Sequence, residues 1–193
     1  MKRIISIICL TLSLQSCIFV AGAAAGAAAI AIVYDQRTIK STLEDTRKAN
    51  KIADKLSKYK TFWEESHIEV TVFNGVILLT GQTPKKEWRQ LASEVAKSSS
   101  NGDRVYNQIT IEGPTSSLTR TSDSWITTKI RSQMLADTSL KSSSIKVVTE
   151  NGIVYLMGVV SRKQADIAVD IARRVSGVQR VIKIFSYVKD KND

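Results

Sequence analysis

The feature that most restricts this sequence is that it contains one unit twice. With "HIEVTVFNGVILLTGQTPKKEWRQLASEVA" from His67 set above "SIKVVTENGIVYLMGVVSRKQADIAVDIAR" from Ser144, Ile68 matches Ile145, Val70 matches Val147, Asn74-Gly75 matches Asn151-Gly152, Leu79 matches Leu156 and Gly81 matches Gly158, all at an offset of 77. The register slips by one or two residues further on, so that "NGDRV" (101–105) faces "SGVQRV" (176–181). A repeat of this length means two copies of one supersecondary unit, and the fold must be built from a pair.

Each copy reads alike. Alternating apolar residues, then Asn-Gly, then a second apolar run predict a hairpin closed by a type I′ turn, whose central residues both need positive φ. A helix follows, started in the first copy by Thr83 with Pro84 at the first helical position and in the second by the capping box Ser161-x-x-Gln164. Its apolar positions, Trp88, Leu91, Ala92 and Val95 in one copy and Ala165, Ala168, Ile171, Ala172 and Val175 in the other, fall on one stripe that packs on a sheet face. "RVYNQITI" (104–111) and "RVIKIFSYV" (180–188) supply a third strand, and helices over roughly Leu43 to Tyr59 and Asp123 to Asp137 precede the hairpins. The expected fold is α+β: two tandem α-β-β-α-β domains, 41–112 and 123–190, each a small three-stranded sheet packed by two helices, joined by the linker "GPTSSLTRTS" (113–122).

The N-terminus reads differently. Lys2 and Arg3 precede the apolar run Ile4 to Leu14, which has the length of a signal-peptide core and is too short to span a bilayer. "LQSC", ending at Cys17, resembles a bacterial lipobox, so residues 1–16 are expected to be removed, Cys17 to be lipidated, and 17–40 to serve as anchor and tether. Several acyl chains on one residue hold a protein at a membrane where a single chain holds it only marginally. The apolar stretch continuing to Val33, with Gly22 and Gly26 at G-x-x-x-G spacing, also fits an uncleaved membrane-spanning helix.

Removal of 16 residues leaves 177, enough for two small domains at an apolar content of 43%. Cys9 leaves with the signal and Cys17 is consumed by lipid, which excludes disulfide, thiol-redox and Cys–metal chemistry. The charge is uneven: residues 35–113 carry 13 Lys and Arg against 11 Asp and Glu, whereas 114–193 carry 13 against 7. For an exported chain the anionic partner of that basic half is a lipid headgroup or surface polymer, and nucleic acid is excluded as a partner. No catalytic constellation is present. His67, the single histidine, opens a strand with no nucleophile, carboxylate or metal partner at a motif spacing, so no enzymatic activity, metal or cofactor is expected. Gly75, Gly81, Gly152 and Gly158 have structural roles, in turns and at strand ends.

The helix "DSWITTKIRSQML" (123–135) carries the functional signal. Ile126, Ile130 and Met134 fall on one arc and make a core stripe, leaving Trp125 and Leu135 over, flanked by Thr128, Ser132, Lys129 and Arg131. Trp and Leu with hydroxyls and cations around them suit an interfacial helix. Trp125 packed on the linker or on the first domain is the alternative. The first domain's helix is basic, with Arg47, Lys48, Lys51, Lys55, Lys58 and Lys60, but Ala49, Ile52, Ala53 and Leu56 suffice only for its core stripe, and such a charge run is usually a solvated face.

The doubled unit, its Asn-Gly hairpins and the glycines ending the second strands resemble the BON domain, most tightly in "DSWITTKIRSQML", "ENGIVYLMGVVSR" and "RRVSGVQRV". A tandem pair behind a lipobox is similar to dual-BON outer-membrane lipoproteins. That resemblance implies a periplasm-facing, lipid-anchored protein of the outer membrane that binds anionic phospholipid and supports membrane integrity, with Trp125, Ile130 and Leu135 inserting beside Lys129 and Arg131; Ile18 after the lipidated cysteine fits outer-membrane sorting. The second function class is a protein-interaction module docking on the outer-membrane assembly machinery or a division-site partner.

Overall fold

The computed structural model describes residues 36–100 and 102–189. Cys17, the expected anchor, and all the residues read as signal and lipobox lie outside the described residues, as does most of the stretch read as tether. In chain order the elements are α1 (Gln36–Ser57), α2 (Lys60–Glu65), β1 (His67–Phe73), β2 (Val76–Thr83), α3 (Lys86–Ser98), β3 (Arg104–Asn107), β4 (Thr110–Ile111), α4 (Ser117–Ala136), β5 (Ile145–Glu150), β6 (Ile153–Val160), α5 (Arg162–Arg173) and β7 (Arg180–Tyr187). A single 3₁₀ turn, Ser142–Ser144, leads into β5.

Both copies have the expected α-β-β-α-β course. β1 and β2 pair antiparallel around an Asn74-Gly75 turn with φ of 49° and 71°, and β5 and β6 around Asn151-Gly152 with φ of 48° and 72°. Positive φ at both central residues is what a two-residue hairpin needs to match the strand twist, and Asn-Gly accepts it at little cost. The last strand of each copy lies parallel to the middle one after the α3 or α5 crossover.

Several boundaries differ from the expectation for physical reasons. β2 runs through Thr83, and α3 starts at Lys86 behind an extended Lys85 with no side-chain cap, so Pro84 does not open the helix. In the second copy Ser161 does cap α5, accepting from the Gln164 N–H at 3.3 Å. The third lane of the first sheet is split into β3 and β4, because Asn107 Oδ1 takes the Ile109 N–H at 3.2 Å in a local Asx-type turn. Lys183, at the corresponding position opposite Leu156, leaves β7 unbroken. The chain read as a linker is helical from Ser117, since Ser116 caps α4 by accepting from the Thr119 N–H at 3.1 Å. α2 is an unexpected element; it delivers Phe62 into the core, edge-on to Trp88 at 5.9 Å between ring centroids.

Among the described residues there are three apolar clusters. The first copy buries Ile52, Leu56, Phe62, Ile77, Leu79 and Ala96 beneath its own helices. In the second, Ile126, Ile130, Met134, Val154, Leu156 and Ala168 do the same. The third lies between the copies: Val76 and Leu78 from one sheet meet Val148, Tyr155, Met157 and Ile184 from the other. Alternate strand residues therefore enter different cores, Ile77 and Leu79 under the helices and Val76 and Leu78 against the partner sheet. At the edge of this contact Gln82 Nε2 donates to Glu150 Oε1 at 2.7 Å, while Gln82 Oε1 accepts from the backbone and hydroxyl of Thr115.

Candidate membrane-binding face

α4 positions the site. Its core side is fixed by Ile126, Ile130 and Met134, each no more than 2% exposed, and by Asp123, whose carboxylate accepts the Asn151 and Gly152 N–H groups at 2.8 and 2.9 Å. The helix is thus tied to the hairpin turn as well as to the core. Asp45 does the same for the first hairpin, accepting from Asn74 N at 2.7 Å and Gly75 N at 3.3 Å. This pair of aspartates was missed by pattern alone, although Asp45 and Asp123 stand 78 residues apart, close to the repeat offset.

Ile130 is a correction. It is wholly buried in the second domain's core and cannot reach a membrane while the domain is folded, so the inserting role that the resemblance implies for it is not available. Trp125 and Leu135 are 55% and 76% exposed, and Leu118, on the helical turns read as linker, is 81% exposed. At ~100° per residue, Leu118 and Leu135 lie about 20° and 80° to either side of Trp125, and the centre of that arc is nearly opposite the core stripe. Lys129 and Arg131 flank it, both exposed and, among the described residues, outside any ion pair.

The hydroxyls of this face have internal partners. Thr121, Thr128 and Ser132 donate to the carbonyls of Ser117, Ser124 and Thr128, each at 2.9 Å, and Ser124 donates to Arg120 at 3.0 Å. A hydroxyl already bonded to its own helix needs no water to satisfy its proton, which lowers the cost of bringing the face into a drier medium.

The rival surface is more engaged. On α1, Lys48 pairs with Asp103 and Lys55 donates to Ser99 Oγ at 2.9 Å, which leaves Lys40, Arg47 and Lys51 as exposed cations, with Lys58 and Lys60 exposed just beyond its end. Trp63 and Tyr59, 40% and 47% exposed, lie near its C-terminal end.

A groove of about 530 Å³ borders α4, floored by Phe73, Met134, Ile145 and Val147 and rimmed by Arg131 and Lys146. On the other side of these two cations a second cleft, about 450 Å³, holds His67, Glu69, Arg120, Asp123 and Glu150. Burial raises the Glu150 carboxyl above the ordinary glutamate range, and the hydrogen bond from Gln82 opposes that shift. A Cβ on Gly81 would meet the His67 carbonyl oxygen at 1.9 Å, and one on Gly158 the Ser144 carbonyl oxygen at 2.4 Å. Among the described residues no helix is long and apolar enough to cross a membrane, and no three potential metal ligands gather.

The BON domain family model matches residues 44–113 and 122–189, the two structural copies. The chain belongs to the BON domain family. Its first BON domain holds α1 to β4 and its second α4 to β7. Among similar proteins, the outer membrane lipoprotein DolP of Haemophilus influenzae is 34% identical over 188 residues, 97% of both chains. The 21 kDa hemolysin of Actinobacillus pleuropneumoniae is 37% identical over 155 residues, 80% of each. The osmotically-inducible protein Y of Escherichia coli is 31% identical over 123 residues, 61% of this chain and 60% of that one. With both domains and nearly full-length similarity, this is a dual-BON protein of the DolP type.

Proposed function

We propose that this protein is an outer-membrane lipoprotein, anchored through Cys17 and facing the periplasm, whose second BON domain lays α4 on anionic phospholipid and so supports the integrity of the membrane. The relative named as an outer membrane lipoprotein supports the location, and "LQSC" supports the anchor. The observation that carries the lipid reading is the outward arc of Leu118, Trp125 and Leu135, three large apolar side chains left in water on the side of α4 opposite its core. They span ~26 Å at 1.5 Å per residue, the whole working length of the helix, so α4 lies flat in the interface. Lys129 and Arg131 at the edges meet headgroup phosphates at ~1 kcal/mol per cation.

The chain from Tyr34 onward forms one compact unit with all three apolar clusters, and can be tested without its anchor. It is expected to co-sediment with phosphatidylglycerol-containing vesicles, and Trp125→Glu or Leu118→Glu to abolish this with an unchanged melt. Binding that survives both substitutions moves the contact to the α1 cations or to a protein partner.

A further inference from the structure

We propose that the groove beside α4 is a site for one anionic phospholipid molecule, drawn from the bilayer on which α4 lies, with its phosphate between Arg131 and Lys146 and its glycerol-ester region on the apolar floor. This rests on the lipid reading of α4 and adds to it a bound molecule and a headgroup-selecting residue, Lys146, that lies outside the helix.

The groove is amphiphilic in a particular order. Phe73 and Leu135 give its accessible apolar surface, above the core residues Met134, Ile145 and Val147 at its base, Arg131 and Lys146 lie on one rim, and Ser142 and Ser143 add hydroxyls. No carboxylate lines it, whereas the adjoining cleft holds Glu69, Asp123 and Glu150. Among the described residues Arg131 and Lys146 have no ion-pair or hydrogen-bond partner, and neither do the side chains of Ser142 and Ser143, so cations and donors are both available to an anion. Arg and Lys with hydroxyl donors suit a phosphate, and the apolar floor would be wasted on inorganic phosphate.

Placement supports the source. Leu135, at one end of the outward arc of α4, also lines the groove, so a lipid in the contacted leaflet reaches the floor without leaving the interface. Lys146 comes from β5, the edge strand, and projects from the sheet face opposite Ile145 and Val147, the face that carries Val148 towards the first domain. Phe73 comes from the first domain's hairpin, so the site needs both domains. An edge-strand lysine also guards against strand addition; that role predicts aggregation when it is replaced, with no effect on lipid.

The test uses dihexanoyl phosphatidylglycerol below its micelle concentration, titrated into the unit from Tyr34 and followed by amide chemical shifts. Saturable binding of one lipid per chain is expected, with shifts at Lys146, Ser143 and Phe73. Lys146→Gln should weaken it about fivefold, the equivalent of one headgroup cation, with an unchanged melt, and Trp125→Glu should leave it intact while abolishing vesicle binding. Vesicle binding by the parent without saturable binding of the soluble lipid overturns the site and leaves the lipid reading of α4 standing. Soluble-lipid binding without vesicle binding has the reverse meaning. Inorganic phosphate binding as tightly as the lipid, or an affinity indifferent to Lys146→Gln, also overturns the proposal.

Discussion

Asp123→Ala is the sharpest probe of how the second BON domain holds α4. Asp123 is 5% exposed, and its carboxylate accepts two backbone N–H groups from the Asn151-Gly152 turn, at 2.8 and 2.9 Å. Hydrogen bonds to a charged acceptor contribute ~1.5–3 kcal/mol each, and a donor left buried without a partner costs about as much as the bond. Gly152 is buried and Asn151 half-buried, so water replaces only part of what the alanine removes, and the loss should be ~3 kcal/mol. Asp45→Ala is the internal control. Its second bond is 3.3 Å long and the Asn74 end of its turn is exposed, so water substitutes well and the loss should be ~1 kcal/mol. At ~2–4 °C per kcal/mol for a unit of this size, a thermal melt should fall by about 6–12 °C for Asp123→Ala and by a few degrees for Asp45→Ala. Equal shifts, or less than ~1 kcal/mol for Asp123→Ala, would refute the argument that burial of the turn sets the strength of the clamp.

Gly158→Val should destabilise by more than ~2 kcal/mol, because the added Cβ would stand 2.4 Å from the Ser144 carbonyl oxygen, a backbone atom that moves only with β5; an unchanged denaturation midpoint would show that β5 yields. Glu150 binds its proton more tightly folded than unfolded, so its contribution to stability grows as pH falls from above the folded pKa towards the unfolded value. Glu150→Gln, which keeps an acceptor for Gln82, should therefore match or exceed the parent's stability at pH 7 and lose that advantage as pH falls towards the ordinary glutamate range in paired melts. Cys17→Ser should leave an unprocessed precursor that incorporates no labelled fatty acid; normal processing and labelling would defeat the lipid anchor.

How much of this was legible in the sequence follows from how local each signal is. The hairpins, the Ser161 cap and the Ile126, Ile130 and Met134 stripe are written in neighbouring residues, and the structure has them. The angular position of Ile130 already placed it in the core stripe, and its burial removes only the inserting role that the family resemblance implied. Leu118 was overlooked because a Ser/Thr-rich stretch reads as linker, although Ser116 is as good a cap as Ser161 and the helix simply begins earlier. Asp123 and the Arg131–Lys146 rim depend on contacts between distant elements, which no window of sequence contains. The break between β3 and β4 turns on one side chain, Asn107.

The pairing of the two domains had a signal of its own in the run Val76 to Leu79. A strand with one face in water alternates, and this one is apolar without interruption, as strands buried on both faces are. One BON domain covers one face of its sheet with helices and leaves Val76 and Leu78, or Tyr155, Met157 and Ile184, to be covered by something else; here each sheet covers the other. This has a consequence for the surface. The sheets' second faces are used up in the pairing, the helices cover the first faces, and what remains for a partner is the outside of the helices and the seam where the domains meet. α4 presents the first and, with Phe73 and Lys146, borders the second. The exposed apolar arc of α4 and the groove at its edge therefore come from the same packing, and a change that parted the sheets would dismantle the groove before it disturbed that arc.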